Sequence, residues 1–275
     1  MTKLFTMVKD EDDIIEEWIV YHGNLFGFEN LYIIDNMSSD KTLEKILKFY
    51  RRVHIFRKEN YNQKGMYMRQ LIDQSCRPGE IAIPLDIDEF IVFFDSRNKQ
   101  IHTHPLIIHR HLKSLPLAQL YKMNYIQVLI TKEEGYGNAV LEATKGLYED
   151  YGIFAKTFFK VDVYKGGVDN GNHICNNATN NYLLSSLCLV HYHNRSLTQI
   201  KKKTECNVTG FSYTNDAESL KRLLQQSPTC QGNHHVARQI SILENTYSLP
   251  VVAEDTDGGV DLTPLKETVK MMFAV

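Results

Sequence analysis

Two aspartates one residue apart, Asp86-Ile87-Asp88, stand between the apolar runs Ile81-Ala82-Ile83 and Phe90-Ile91-Val92-Phe93-Phe94. In extended backbone, residues i and i+2 point the same way, so both carboxylates leave one face together. Like charges held side by side away from water raise each other's pKa unless a cation sits between them. A hard divalent ion, Mn2+ or Mg2+, meets that need and keeps water or phosphate oxygens as its other ligands. The other reading is a solvated acidic turn that ends a strand. The pattern alone leaves both open, but acids wedged between two buried segments need a reason. A second polar cluster, Asp35-Asn36-Met37-Ser38-Ser39-Asp40-Lys41-Thr42, follows the apolar run Leu31-Tyr32-Ile33-Ile34. Gln63-Lys64 and Arg69 open a helical segment, where a helix N-terminus favours anions. His102, His104, His109 and His111 lack a fixed ligand spacing and read as structural, and His234-His235 as surface.

The elements that must position these groups follow from periodicity. Apolar strands are expected at Lys3–Val8, Asn30–Asp35, Val53–Arg57 and Glu80–Asp86. Between them, helical spacing covers Asp12–Phe26, with Asp10 or Asp12 as cap and Trp18 in its apolar stripe. Ser38 or Ser39 would cap a helix carrying Leu43, Ile46, Leu47 and Tyr50 on one side, and Gln63–Gln74 forms another. Continuously apolar strands separated by helices imply a parallel sheet covered on both faces. The second half is less regular, with a helix over Leu106–Lys113 and a strand over Leu120–Ile130. Short β runs are expected at Phe154–Val163 and Tyr182–Leu184, and helices at Gln199–Glu205, Ser219–Gln226 and Pro264–Phe273. The fold class expected is α/β, a mostly parallel Rossmann-like sheet flanked by helices.

Composition bounds the function classes. The 275 residues are 43% apolar and 23% charged with a net charge of -2, values that exclude wholesale disorder and a generally basic nucleic-acid binder. No window approaches the roughly 20 apolar residues of a membrane span, and the N-terminus turns acidic at once instead of forming a leader. Cys76, Cys175, Cys188, Cys206 and Cys230 are scattered without a Cys-x-x-Cys pair, against a disulfide framework or a structural zinc. The expectation is a soluble, reduced, cytoplasmic chain, in which the sequons at Asn36, Asn177, Asn194 and Asn207 carry no meaning.

The segments VKDEDDIIEEWIVYH, LYIIDNMSSDKT, PLDIDEFIV and VHYHNRS, in that order, resemble the motifs of nucleotide-sugar glycosyltransferases of the GT-A fold. The likeness is greatest to the family-2-like and family-92-like group, and the chain is also similar to glycosyltransferases encoded by large algal viruses. It spans roughly residues 3–205. It implies a GT-A domain over 1–210, with a nucleotide-binding half at about 1–95 and an acceptor half at about 96–210, and a C-terminal helical extension over 211–275. It implies that Val8 and Lys9 flank the nucleotide base, that Asp35 meets base or ribose, and that Asn36 and Ser38 shape the turn. Asp86 would touch ribose or metal, Asp88 would be the main metal ligand, and His191 would reach metal or diphosphate. Arg195 and Ser196 would meet phosphate oxygens; Lys64 is a further candidate anion contact from its place at a helix start alone. The chain departs from the pattern at His193, and has Tyr121-Lys122-Met123-Asn124-Tyr125 where a Trp-containing segment is expected.

The implied function is transfer of a sugar from a nucleoside diphosphate donor, expected to be a UDP-sugar, to a hydroxyl of a glycan or glycoprotein, with inversion and with Mn2+ or Mg2+. The departing diphosphate would be stabilised by metal and by Lys or Arg. Inversion also needs a carboxylate base, for which Glu133, Glu134, Asp162 and Asp169 are candidates and Asp169 is preferred. Lys201-Lys202-Lys203 faces solvent or attracts a diphosphate or acidic glycan. One rival is a nucleotidyltransferase, disfavoured because residues 8–13 are acidic and lack a Gly-rich phosphate loop. Another is a non-catalytic binding module of the same fold.

Overall fold

The computed structural model describes residues 1–118, 120–163, 166–175, 182–253 and 259–274. The sequon at Asn177 lies outside them. In chain order the elements are β1 (Thr2–Val8), α1 (Ile15–Phe26), β2 (Leu31–Asp35), α2 (Thr42–Leu47), β3 (His54–Arg57), α3 (Lys64–Ser75), β4 (Ile81–Asp86), β5 (Glu89–Asp95) and β6 (Gln100–His102). Then come α4 (Pro105–Ser114), β7 (Tyr121–Val128), α5 (Ala139–Glu142), β8 (Lys145–Glu149), β9 (Lys156–Lys160) and β10 (Leu183–His191). The chain closes with α6 (Leu197–Gly210), α7 (Ala217–Gln226), α8 (Asn233–Leu243), β11 (Val260–Asp261) and α9 (Thr263–Phe273).

All the strands join one sheet in the order β3-β2-β1-β4-β9-β7-β10-β5-β6, with β8 on β7 and β11 on β8. The first four are mutually parallel, and β7 and β10 are parallel to each other. Only β9 and β5 run against the rest of that path, so the sheet is mostly parallel in strand direction, as the apolar strands predicted. Alternate residues of β1 serve opposite faces. Leu4 and Val8 enter one core with Ile15 and Trp18 of α1, and Phe5 and Met7 enter another with Met68 and Ile72 of α3. Helices therefore cover both faces.

The sequence missed β5, β6, β8, α5, α8 and β11, and saw only the first residues of β10. Ser185 and Ser186 interrupt the apolar pattern of β10, which nonetheless pairs with both β7 and β5. The expected caps also differ. The residue before α1 is Ile14, with no side-chain cap, and α2 likewise lacks one. Asp10 instead accepts from the backbone of Ser39 (2.6 Å) and Asp40 (3.2 Å), while Ser38 Oγ accepts from Asp10 N (3.1 Å). The two polar turns after β1 and β2 thus brace each other. At the C-terminus, β11 pairs with β8, and α9 packs on α1 and α5 with Leu262, Leu265 and Val269 in the main core. Helices α6, α7 and α8 share a small core of Val208, Leu220 and Val236. Among the described residues no helix is long and apolar enough to cross a membrane.

His22 on α1 is fully buried, its Nδ1 3.0 Å from Trp18 O and its Nε2 accepting from Ile91 N at 3.3 Å. Burial drives its pKa down to about 3 from an ordinary 6.5, so the imidazole is neutral in the fold. The unfolded chain then binds the extra proton between those values. Its contribution is full above pH 6.5 and is lost as pH falls toward 3. Urea unfolding is expected to show a loss of about 3 kcal/mol from this group between neutrality and about pH 4. In His22→Gln that part of the pH dependence should disappear.

Candidate active site

A cavity of about 850 Å³ opens beyond the C-terminal ends of β1 and β4, where ligands of open α/β sheets bind. Its walls come from those strand ends, the Ile87-Asp88 turn, β7, the end of β8, and α6 and α8.

Asp86, the last residue of β4, lies between two lysines. Lys64, at the first turn of α3, pairs with Oδ1, and Lys156 of β9 reaches Oδ2 at 2.5 Å. Both lysines are almost entirely buried, at 3% and 2% exposure. Burial alone would raise the Asp86 carboxyl, but the Lys156 and Lys64 charges reverse this and hold it well below the usual range. Asn172 Nδ2 adds a contact at 3.3 Å. Glu89, the first residue of β5, is fully buried, accepts from Asp86 N at 2.8 Å and stands 3.2 Å from Lys156. Burial keeps its pKa raised despite that lysine.

Asp88 sits in the turn between β4 and β5 rather than in extended backbone, so its carboxylate does not share a partner with that of Asp86. Instead it pairs with Lys203 of α6 and lies 3.5 Å from His191 Nε2. Burial would raise Asp88, but Lys203 and then His191 hold it well below the ordinary carboxylate value. His191 ends β10, directly across from Glu89 in the antiparallel β10–β5 ladder, and Tyr192 N donates to Asp88 O at 2.8 Å. That register brings a late histidine to a turn a hundred residues earlier. His193 follows, its Nε2 3.0 Å from Arg238 of α8. Burial and the nearby Lys203 keep its imidazole neutral.

Asp88, His191 and His193 each present a ligand atom, all within 4.8 Å of one another. His191 Nδ1 is buried with no hydrogen-bond partner among the described residues. A carboxylate beside two imidazoles is a donor set suited to a divalent ion, and the nitrogen donors favour Mn2+ over Mg2+. Among the described residues, this group that could hold a metal includes His193 beside the sequence-predicted Asp88 and His191, and does not include Asp86, whose two carboxylate oxygens meet Lys64 and Lys156.

Other sequence-predicted residues fall in two groups. Lys9 lines the cavity, its ammonium donating to Asn36 O (3.1 Å) and Met37 O (3.2 Å), and Lys64 lines it through its pair with Asp86. Val8, by contrast, is buried in the core. Asp35 is fully buried and already occupied by Arg57 Nε (3.0 Å) and Ser38 N (3.1 Å). Asn36 donates to Lys58 O and Glu59 O, both at 2.8 Å. These groups shape the turn, and none is on the cavity wall. Arg195 does not face the cavity either. It is 1% exposed, binds Asp13 through Nε (2.7 Å) and Nη2 (3.1 Å), pairs with Glu11, and donates to Tyr192 O at 3.0 Å.

The carboxylates proposed as base are also placed away from the wall. Asp169 Oδ1 accepts from His173 N and Ile174 N at 2.7 Å, and Oδ2 from Gly171 N at 3.1 Å, so it organises its own loop. Asp162 accepts from Gly79 N at 2.8 Å. Glu133 and Glu134 are exposed on a turn. What the sequence missed is mostly cationic: Lys156 inside an apolar strand, Lys203 hidden in a Lys run, and Arg238. Within that run Lys202 turns to Asp12 (3.1 Å) and Asp40, while Lys203, one residue further round the helix, turns inward. His234 and His235 line the cavity, whereas His104 caps α4 and His109 and His111 contact Leu25 O (2.7 Å) and Ser185 Oγ (2.8 Å).

No family model and no curated protein matches this chain. Among solved structures it is similar to S. aureus TarS 1-349, with a TM-score of 0.43 and 11% identity over 89% of this chain and 71% of that one. The complex of TarS 1-349 with UDP-GlcNAc aligns at a TM-score of 0.41 and 11% identity, covering 89% and 72%. Glucosyl-3-phosphoglycerate synthase from Mycobacterium tuberculosis, in complex with phosphoglyceric acid, aligns at 0.31 and 17% over 46% and 44%. None of these reaches a TM-score of 0.5.

Proposed function

We propose that the chain is a metal-dependent glycosyltransferase that moves a sugar from a nucleoside diphosphate, expected to be UDP, to a glycan hydroxyl with inversion. The observation that carries this is the charge arrangement of the cavity. Lys9, Lys64, Lys156, Lys203 and Arg238 line it together with Glu11, Asp86, Asp88, Glu89 and Glu149, five cations against five carboxylates. A diphosphate entering a balanced site needs added positive charge, and a divalent ion held by Asp88, His191 and His193 supplies it. When bound, that ion would stabilise charge on the departing diphosphate. Lys203 and Arg238, on α6 and α8, stand beside the same three residues and can turn to phosphate oxygens. Lys64 and Lys156 hold Asp86 ionised, fit to accept from ribose hydroxyls. The volume suits a nucleotide-sugar. The donor would lie chiefly on residues 1–95, the acceptor on 96–210, with residues 211–275 adding the α8 wall.

Thermal melting with UDP, GDP, CMP or ADP, each with and without Mn2+, tests this. One nucleotide is expected to raise the midpoint by about 5 °C at saturating concentration, and only when Mn2+ is present. No rise with any nucleotide would leave a non-catalytic module as the better description.

A further inference from the structure

An inverting displacement needs a carboxylate in the cleft that is ionised yet not tied to a cation. Of the five that line the cavity, Glu11 is paired with Arg195, Asp86 with Lys64 and Lys156, Asp88 with Lys203, and Glu89 faces Lys156. Glu149 has no ion pair among the described residues. It ends β8 opposite Tyr125 of β7. Directly opposed residues of an antiparallel pair share a face. Tyr125 and Glu149 both line the cavity, and the Tyr125 ring lies 5.2 Å from that of His191. Its neighbour Tyr148 goes to the other face, stacked on Phe94 at 4.9 Å and bonded to Asn124 at 2.8 Å, as strand alternation requires.

We infer that Glu149 is the general base of the transfer reaction, with the acceptor sugar laid over Tyr151 and Phe154. The inference rests on the glycosyltransferase function proposed above. Both aromatics line the cavity, and they remain 39% and 62% exposed. An exposed ring of this kind offers an apolar face to a pyranose. The Tyr151 hydroxyl accepts from Gln127 at 3.1 Å, and burial and then the nearby Glu149 carboxylate raise its pKa. In the step, the acceptor O–H bond breaks and its proton passes to a Glu149 oxygen. The acceptor oxygen forms the new bond to the anomeric carbon from the face opposite the leaving group. The bond from that carbon to the diphosphate oxygen breaks, and its electron pair leaves with the nucleoside diphosphate.

The test compares wild type, Glu149→Gln and Glu149→Asp. Nucleoside diphosphate release from UDP-glucose, UDP-galactose, UDP-N-acetylglucosamine and GDP-mannose is followed with a panel of free mono- and oligosaccharides as acceptors. Nucleotide binding is measured separately by Mn2+-dependent melting. Glu149→Gln is expected to lose at least about 100-fold in turnover with its nucleotide-induced melting shift unchanged. Glu149→Asp should recover part of that loss, which a purely structural role would not predict. Turnover in Glu149→Gln within about threefold of wild type would overturn the assignment while leaving the transferase function standing. Wild type that binds no nucleotide, or that releases none from any donor, would overturn both.

Discussion

Asp88→Asn should lose the Mn2+-dependent response to nucleotide, with metal affinity falling by at least about 100-fold. The amide keeps the shape of the side chain and removes its charge. Two imidazoles, His191 and His193, then remain as donors, beside a Lys203 ammonium left with only the longer contact to Glu11 at 3.9 Å. The contrast with Asp86→Asn makes the result specific. That substitution leaves the triad intact, so the metal response should survive. It strips the shared counter-charge from Lys64 and Lys156, both buried, and should cost about 3 kcal/mol of stability. Titrating Mn2+ into each variant while following its melting midpoint separates the two outcomes. A Mn2+ response lost in Asp86→Asn and kept in Asp88→Asn would return the metal to the first aspartate.

Arg195→Ala is expected to be the most destabilising single substitution in the site region. The guanidinium is 1% exposed and binds Asp13 through two nitrogens, Glu11, and the Tyr192 carbonyl. Removing it leaves Glu11, itself buried, facing Lys203 at 3.9 Å as its remaining cation. Breaking a buried ion pair from one side typically costs about 3–5 kcal/mol. Urea denaturation should register a loss of that size. Arg195→Lys should recover little, because an ammonium cannot reproduce the planar fork that meets Asp13. A near-neutral result would mean that the residue 11–13 and 192–195 segments are held together by something other than this bracket.

How much of this could be read from the chain depends on the distance over which each interaction acts. The first four strands and the helices between them were legible because their apolar periodicity is local. Asp88 and His191 drew notice because their segments resemble known motifs, and the fold brings them within 3.5 Å of each other. Lys156 was not, because a lysine in a strand resembles an exposed edge position until its partner Asp86, seventy residues away, is known. Lys203 was masked by its neighbours: three consecutive lysines on a helix look alike in sequence, and only the packing of α6 decides which turns inward. Arg195 was assigned to phosphate because arginine beside a histidine motif suits an anion. The acids at Glu11 and Asp13 answered that need from within. Glu149 gave no signal at all, since the case for it lies in the register of β8 on β7 and in its having no ion pair among the described residues.

The position of β10 has a consequence for how the molecule comes to exist. This strand lies between β7 and β5, and its last residue faces Glu89. Until residues 183–191 have been synthesised, β7 and β5 each carry an open edge, and the acids of the 86–89 segment lack the histidine beside them. A growing chain can therefore build its four parallel strands early. The two halves of its sheet must wait for a pairing of long sequence separation, the kind that slows folding. Bringing His191 to Asp88 and closing the sheet become one event. Synthesis halted before β10 would yield a chain with exposed strand edges and no site, a species suited to capture by chaperones or to aggregation.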